Sequence, residues 1–135
     1  MTTNKEEYKK QDQNRTKSRN LVELGVISKK DYGDIHAWFY KNLKDLDKVL
    51  IGSIDNGSRD NANDLISGII IRGLNIDTDI LKTLIRIVRY YKLNKNDLIM
   101  KVENIYNSEN NDGKFEEYFQ ECMKSNIKNL INYAM

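Results

Sequence analysis

The residues of this chain whose types and spacing suggest chemistry are amide and basic side chains, and the chemistry they suggest is anion binding. Asn94 has the right side chain to cap a helix, and Lys95 and Asn96 follow it at the expected helix start. Free backbone N–H groups at these three residues, with the positive end of the helix dipole, would form a phosphate site. Lys95 adds a charge. We therefore predict phosphate binding at Asn94, Lys95 and Asn96.

The other titratable residues form no pattern typical of catalysis. The carboxylates show no paired spacing, and the sequence has no phosphate-cradling glycine loop, metal-ligand spacing or nucleophile elbow. His36 has no second His or Cys nearby in sequence, so we interpret it as a packed or surface residue. Cys122 lies on an apolar stripe and is expected to be a small core residue. We expect no enzyme activity, no metal and no other cofactor.

Positive charge is concentrated in two segments of a chain whose net charge is only +2. Residues 1–30 carry eight Lys/Arg against four Asp/Glu, and residues 69–96 carry six against two. A polyanion would therefore meet locally positive surfaces. The 135 residues are enough for one small domain with appendages. A single cysteine excludes an internal disulfide and no apolar run is long enough to cross a membrane, so we expect a cytoplasmic protein.

Hydrophobic periodicity predicts a mainly helical chain. We expect a basic flexible arm at 1–19 and an N-terminal helical segment at 20–62, in which Ser28 caps a helix over about 29–51. The polar run up to Asp64 is interpreted as a loop or linker. Further helices are predicted after Asp77–Asp79, after Asn94, and over about 114–134, the last within a C-terminal segment at 109–135.

Residues 65–74 fit two interpretations. Apolar residues at 65, 66, 69, 70 and 74 would line one face of a helix, but Gly68 and Gly73 weaken a helix and three consecutive isoleucines favour a strand. Periodicity alone does not decide the state of a short apolar run. We expect a strand because of the two helices that follow it.

The order of a strand reading Ile-Ile-Ile-Arg-Gly at 69–73, a helix, a tight turn and a second helix resembles the ribbon–helix–helix family of Arc-like DNA-binding proteins from bacterial plasmids and phages. The similarity covers about residues 69–106, within a predicted domain at 63–108. It implies a homodimer that inserts a two-stranded ribbon into the major groove of double-stranded DNA. The similarity further implies that the protein acts as a transcriptional repressor, or as a partition, copy-control or relaxosome accessory factor.

In such a ribbon alternate strand residues would face the DNA, and these would be Gly68, Ile70 and Arg72. The Arg72 guanidinium would bond guanine bidentately, Ile70 would touch a thymine methyl group, and Gly68 would let the backbone approach closely. A second protein partner, bound through the N-terminal helical segment, is a further expectation. The alternative is an all-helical protein-interaction module, such as a small phage- or plasmid-encoded inhibitor of a host protein.

Overall fold

The fold is a bundle of six helices in a computed structural model that describes residues 21–42 and 58–134. None of the residues in these two ranges forms a β-strand. None of the helices there is both long and apolar enough to cross a lipid bilayer. The helices are α1 (Lys29–Asn42), α2 (Arg59–Ile70), α3 (Thr78–Tyr90), α4 (Lys95–Glu109), α5 (Phe115–Cys122) and α6 (Lys128–Asn132).

Local capping signals define where several of these helices begin. The Ser28 hydroxyl accepts a hydrogen bond of 3.0 Å from the Asp31 N–H at the start of α1, which confirms the predicted cap. Asn94 caps α4, as predicted, through its side-chain oxygen. At α3 the N-cap residue is Asp77, although its side chain makes no capping hydrogen bond.

Helix α2 is the centre of the bundle. It packs against α3, α4 and α6, and its second half is enclosed on every side. A helix whose surface is apolar all round is expected to be buried in this way. Its buried residues are Ala62, Leu65, Ile66, Ser67, Gly68, Ile69 and Ile70.

The predicted strand is therefore wrong, and with it the ribbon–helix–helix core. Residues 69 and 70 end α2, and residues 71–73 form the turn that follows. The physical reason is that a helix satisfies its own backbone N–H and C=O groups, so it can be enclosed by side chains without a partner strand. The predicted loop or linker up to Asp64 is also wrong from Arg59 onwards, because α2 begins there and Ser58 caps it by accepting a hydrogen bond from the Asn61 N–H.

The C-terminal segment forms two short helices where a single helix was predicted. The chain turns between α5 and α6, and there the Asn126 side chain bonds both backbone groups of Ile76, in the link between α2 and α3. The helix predicted over 29–51 is observed as α1 up to Asn42, and its remainder lies outside the described residues. The predicted basic arm at 1–19 also lies outside them.

Candidate nucleic-acid interface

A short turn joins α3 to α4 and sets the position of the α4 N-terminus. Lys92 has a positive φ of 50°, and its N–H bonds the Arg89 carbonyl at 3.2 Å. The Leu93 N–H bonds the Val88 carbonyl at 3.1 Å, and both of these apolar side chains are fully buried. This pair of bonds with its apolar contact is a Schellman motif, which ends a helix sharply. Leu93 thus anchors the turn in the core.

Asn94 follows at once and begins α4. Its side-chain oxygen accepts hydrogen bonds from the N–H groups of Asn96, at 2.7 Å, and Asp97, at 3.3 Å. Two amides at the end of the helix where we predicted phosphate binding are thus already bonded within the chain. A phosphate at this end would depend mainly on the exposed side chain of Lys95. The three residues of the predicted phosphate site do lie together at one exposed helix end.

Arg59, the first residue of α2, ties this turn to the rest of the bundle. Its Nε donates to the Tyr91 carbonyl at 3.2 Å, and its Nη2 donates to the Lys92 carbonyl at 3.2 Å. The same Nη2 lies 3.7 Å from a carboxylate oxygen of Asp97 in the first turn of α4. One guanidinium therefore contacts the end of α3, the turn and the start of α4.

The region around the turn is strongly cationic. Residues 80–96 contain five Lys/Arg and no Asp or Glu. Lys82, Arg86 and Arg89 are exposed and spaced so that they share one face of α3. Arg86 pairs with Asp31 of α1 at 3.2 Å, and the Arg89 guanidinium lies 4.3 Å from the centre of the Tyr133 ring. We call these three residues the α3 basic stripe.

The outward face of α4 is polar with one apolar residue at its centre. Met100 is 62% exposed, so this face presents one large apolar side chain to solvent. Side chains that can hydrogen-bond flank it along the same face. This face consists of Asn96, Met100, Glu103, Asn104 and Asn107.

Comparison with known proteins yields no relative. No family model matches this chain, and no curated protein or solved structure matches it. No family match therefore supports the resemblance to ribbon–helix–helix proteins that the sequence suggested.

The predicted base-reading residues do not form a common exposed surface. Gly68 and Ile70 are buried within α2, and the half-buried Arg72 lies in the turn after it. Their assignment depended on a strand whose alternate residues face outwards, and a central helix presents no such face. The ribbon is thus excluded as the structure that would present them to DNA. Arg59 and the exposed Met100 were not found from the sequence, since Arg59 acts on residues 32 and 33 positions away.

The residues that could suggest catalysis occupy structural positions. His36 packs between the rings of Tyr32 and Phe39, with ring centroids 4.4 Å and 6.2 Å away. Cys122 is buried in the core, as predicted, and burial raises the pKa of its thiol. Within residues 21–42 and 58–134, no group of three His, Cys, Asp or Glu side chains could hold a metal ion.

Two tyrosines, Tyr91 at the end of α3 and Tyr118 in α5, differ in how their hydroxyl groups are satisfied. Burial raises the pKa of Tyr91 to about 12, and it does the same for Tyr118. The Tyr118 hydroxyl donates to the Ile71 carbonyl, whereas the Tyr91 hydroxyl has no partner within the described residues. The two hydroxyls should therefore affect stability in opposite directions.

Tyr91→Phe is expected to raise the free energy of unfolding by up to about 1 kcal/mol, because a buried hydroxyl without a partner is removed. Tyr118→Phe should lower it by about 1 kcal/mol, because a hydrogen bond is lost. The folded chain holds both phenolic protons more tightly than the unfolded chain. The contribution of these two groups to the free energy of unfolding should therefore be fully present below pH 10 and be lost between pH 10 and 12. The loss should be less steep in either variant, because one of the two groups is absent. Urea unfolding at neutral and alkaline pH measures both effects. Equal losses of unfolding free energy in the two variants at neutral pH would contradict the predicted difference between the two hydroxyl groups.

Proposed function

We propose that this protein binds double-stranded DNA through α3, the Lys92–Asn94 turn and α4, with α4 entering the major groove. The observation that carries the proposal is the turn, in which a left-handed residue, a buried Leu93 and a capping Asn94 follow one another. A short turn between two helices is also the connection in the helix–turn–helix motif, in which the N-terminal residues of the second helix contact base edges. The ribbon has no part in this proposal.

The charges around the turn fit contact with the phosphate backbone. Lys92 lies in the turn and Lys95 in the first turn of α4, and both are exposed. The structure gives neither of them an ion-pair partner within the described residues. The α3 basic stripe adds three further cations to the same stretch of chain. Such contacts attract any duplex and fix orientation, but they carry little sequence information.

Sequence preference would come from the outward face of α4. The Asn96 amide has the donor and acceptor that pair bidentately with adenine, and Met100 can make apolar contact with a thymine methyl group. These two residues are four positions apart, so they lie on the same side of the helix. The expected roles in transcriptional repression, plasmid partition or copy control, and the expected homodimer, stay predictions.

Lys92→Gly and Lys95→Ala test the proposal. Each should weaken binding to every duplex and reduce the slope of log affinity against log salt by about one unit, since one phosphate contact is lost. Lys92→Gly should at the same time stabilise the fold by about 1 kcal/mol, because glycine adopts positive φ without strain. If Lys92 had only a structural role, a variant that stabilises the fold would not lose affinity for DNA.

The measurement is fluorescence anisotropy of a labelled random-sequence duplex over a salt series, followed by selection of preferred sequences from a duplex library. Lys124→Ala is the matched control, because Lys124 is an exposed lysine that pairs with Glu121, three positions away. It should leave the affinity and the slope unchanged. No binding of the wild-type chain at low salt would overturn the proposal.

A protein-interaction module is the second candidate, and the exposed Met100 favours it. An apolar side chain on an outward helix face is a common anchor for a partner groove. In that case the same face of α4 would bind a protein, and the wild-type chain would not bind the labelled duplex. Sedimentation of the free chain would show at the same time whether it is a dimer.

A further inference from the structure

We infer that Arg59 is a positioning residue that holds the α3–α4 turn and offsets the charge of Asp97 at the DNA-binding end of α4. This inference rests on the proposed function. The Arg59 side chain is 44% exposed, so packing in the core does not explain its position. Its contacts with Tyr91, Lys92 and Asp97 all lie at the junction of α3 and α4.

The stability of α2 does not explain an arginine at this position. Arg59 directly follows the N-cap residue Ser58, where a cation is unfavourable because the helix dipole is positive at that end. The guanidinium instead reaches the carbonyl end of α3, where the dipole favours a cation. The arginine at position 59 is therefore explained by its hydrogen bonds to the α3–α4 turn and not by the stability of α2.

The guanidinium is suited to holding the turn. The carbonyls of Tyr91 and Lys92 belong to consecutive residues, and the planar fork of an arginine presents two donors in a fixed geometry. Fixing these two carbonyls fixes the backbone immediately before Leu93 and Asn94. The direction in which α4 leaves the turn is therefore coupled to α2.

The contact with Asp97 has an electrostatic consequence. Asp97 lies in the first turn of α4, two residues from Lys95, so its carboxylate would repel a phosphate bound at that end. Arg59 places a positive charge 3.7 Å from this carboxylate. The electrostatic potential at the α4 N-terminus is therefore more positive than it would be if Asp97 had no positive charge beside it.

The first test uses the free protein and needs no DNA. Amide hydrogen exchange of the turn, read at Leu93 and Asp97, should become faster in Arg59→Ala while the α2 core keeps its protection. Arg59→Lys should behave nearly like Arg59→Ala, because lysine keeps the charge but loses the fork. Unchanged exchange in Arg59→Ala would overturn the inference, whatever the outcome of the DNA measurements.

The second test uses the labelled random-sequence duplex. Arg59→Ala should weaken binding by roughly tenfold with an unchanged salt slope, because the phosphate contacts remain but are misplaced. Adding Asp97→Asn should recover part of that loss, since the uncompensated carboxylate is removed. A slope reduced by about one unit, with no recovery from Asp97→Asn, would make Arg59 a direct phosphate contact and overturn the positioning role. Lys124→Ala again serves as the control.

Discussion

Ile70→Ala is expected to lower the free energy of unfolding by about 2–5 kcal/mol, the range for truncating a buried isoleucine. Ile70 has no exposed surface in the last turn of α2, at the centre of the bundle. Removing three carbon atoms there leaves a cavity that α3, α4 and α6 fill only in part. Urea unfolding gives the result as a shift of the midpoint at an unchanged m value.

The same substitution distinguishes the helix from the ribbon that the sequence suggested. In a ribbon Ile70 would point outwards, and its truncation would change stability by no more than about 0.5 kcal/mol, as for other surface positions. Met100→Ala is the matched control, because Met100 is 62% exposed on α4. Its effect should stay within about 0.5 kcal/mol. Equal, small effects of the two substitutions would contradict the central position of α2.

Asn126→Ala should cost about 2–4 kcal/mol, because it leaves two backbone groups without partners. The Asn126 side-chain oxygen accepts from the Ile76 N–H at 2.8 Å, and its amide nitrogen donates to the Ile76 carbonyl at 2.6 Å. Ile76 is only 4% exposed, so water does not readily replace these bonds. The pair connects the link before α3 to the turn between α5 and α6.

Asn75→Ala is the control for this prediction. The exposed Asn75 accepts a single hydrogen bond, from the Asn126 N–H at 3.2 Å, so its loss should cost less than about 1 kcal/mol. Asn126→Asp should fall between the two, since it keeps the acceptor and loses the donor. A cost of Asn126→Ala no larger than that of Asn75→Ala would indicate that Ile76 is satisfied in another way.

The error over residues 65–74 has a specific physical origin. The spacing of Leu65, Ile66, Ile69 and Ile70 matches a helix face, but three consecutive β-branched residues favour a strand and two glycines weaken a helix. The resemblance to ribbon–helix–helix proteins favours the strand, and this preference is wrong. The intrinsic preferences involved are small compared with the gain from burying a helix on all sides.

The candidate binding surface was predictable only in part. Asn94 as a cap, and Asn94–Asn96 as an exposed and partly basic helix end, follow from residues that are neighbours in sequence. The Asn94 side-chain oxygen itself accepts hydrogen bonds from the Asn96 and Asp97 N–H groups, whereas the predicted phosphate site requires the Asn96 N–H to be free. Arg59 had no local signal, because its partners lie more than thirty positions away.

The sequence by itself determined the starts of α1 and α4 and the existence of α3, because caps and amphipathic periodicity depend on residues within about one helical turn. Only the tertiary structure decided that residues 65–70 are helical, that the C-terminal segment bends at Asn126, and that Arg59 reaches the turn before α4. These three features depend on burial and on contacts between distant segments. Their energies arise only after the bundle has assembled, so no local pattern encodes them.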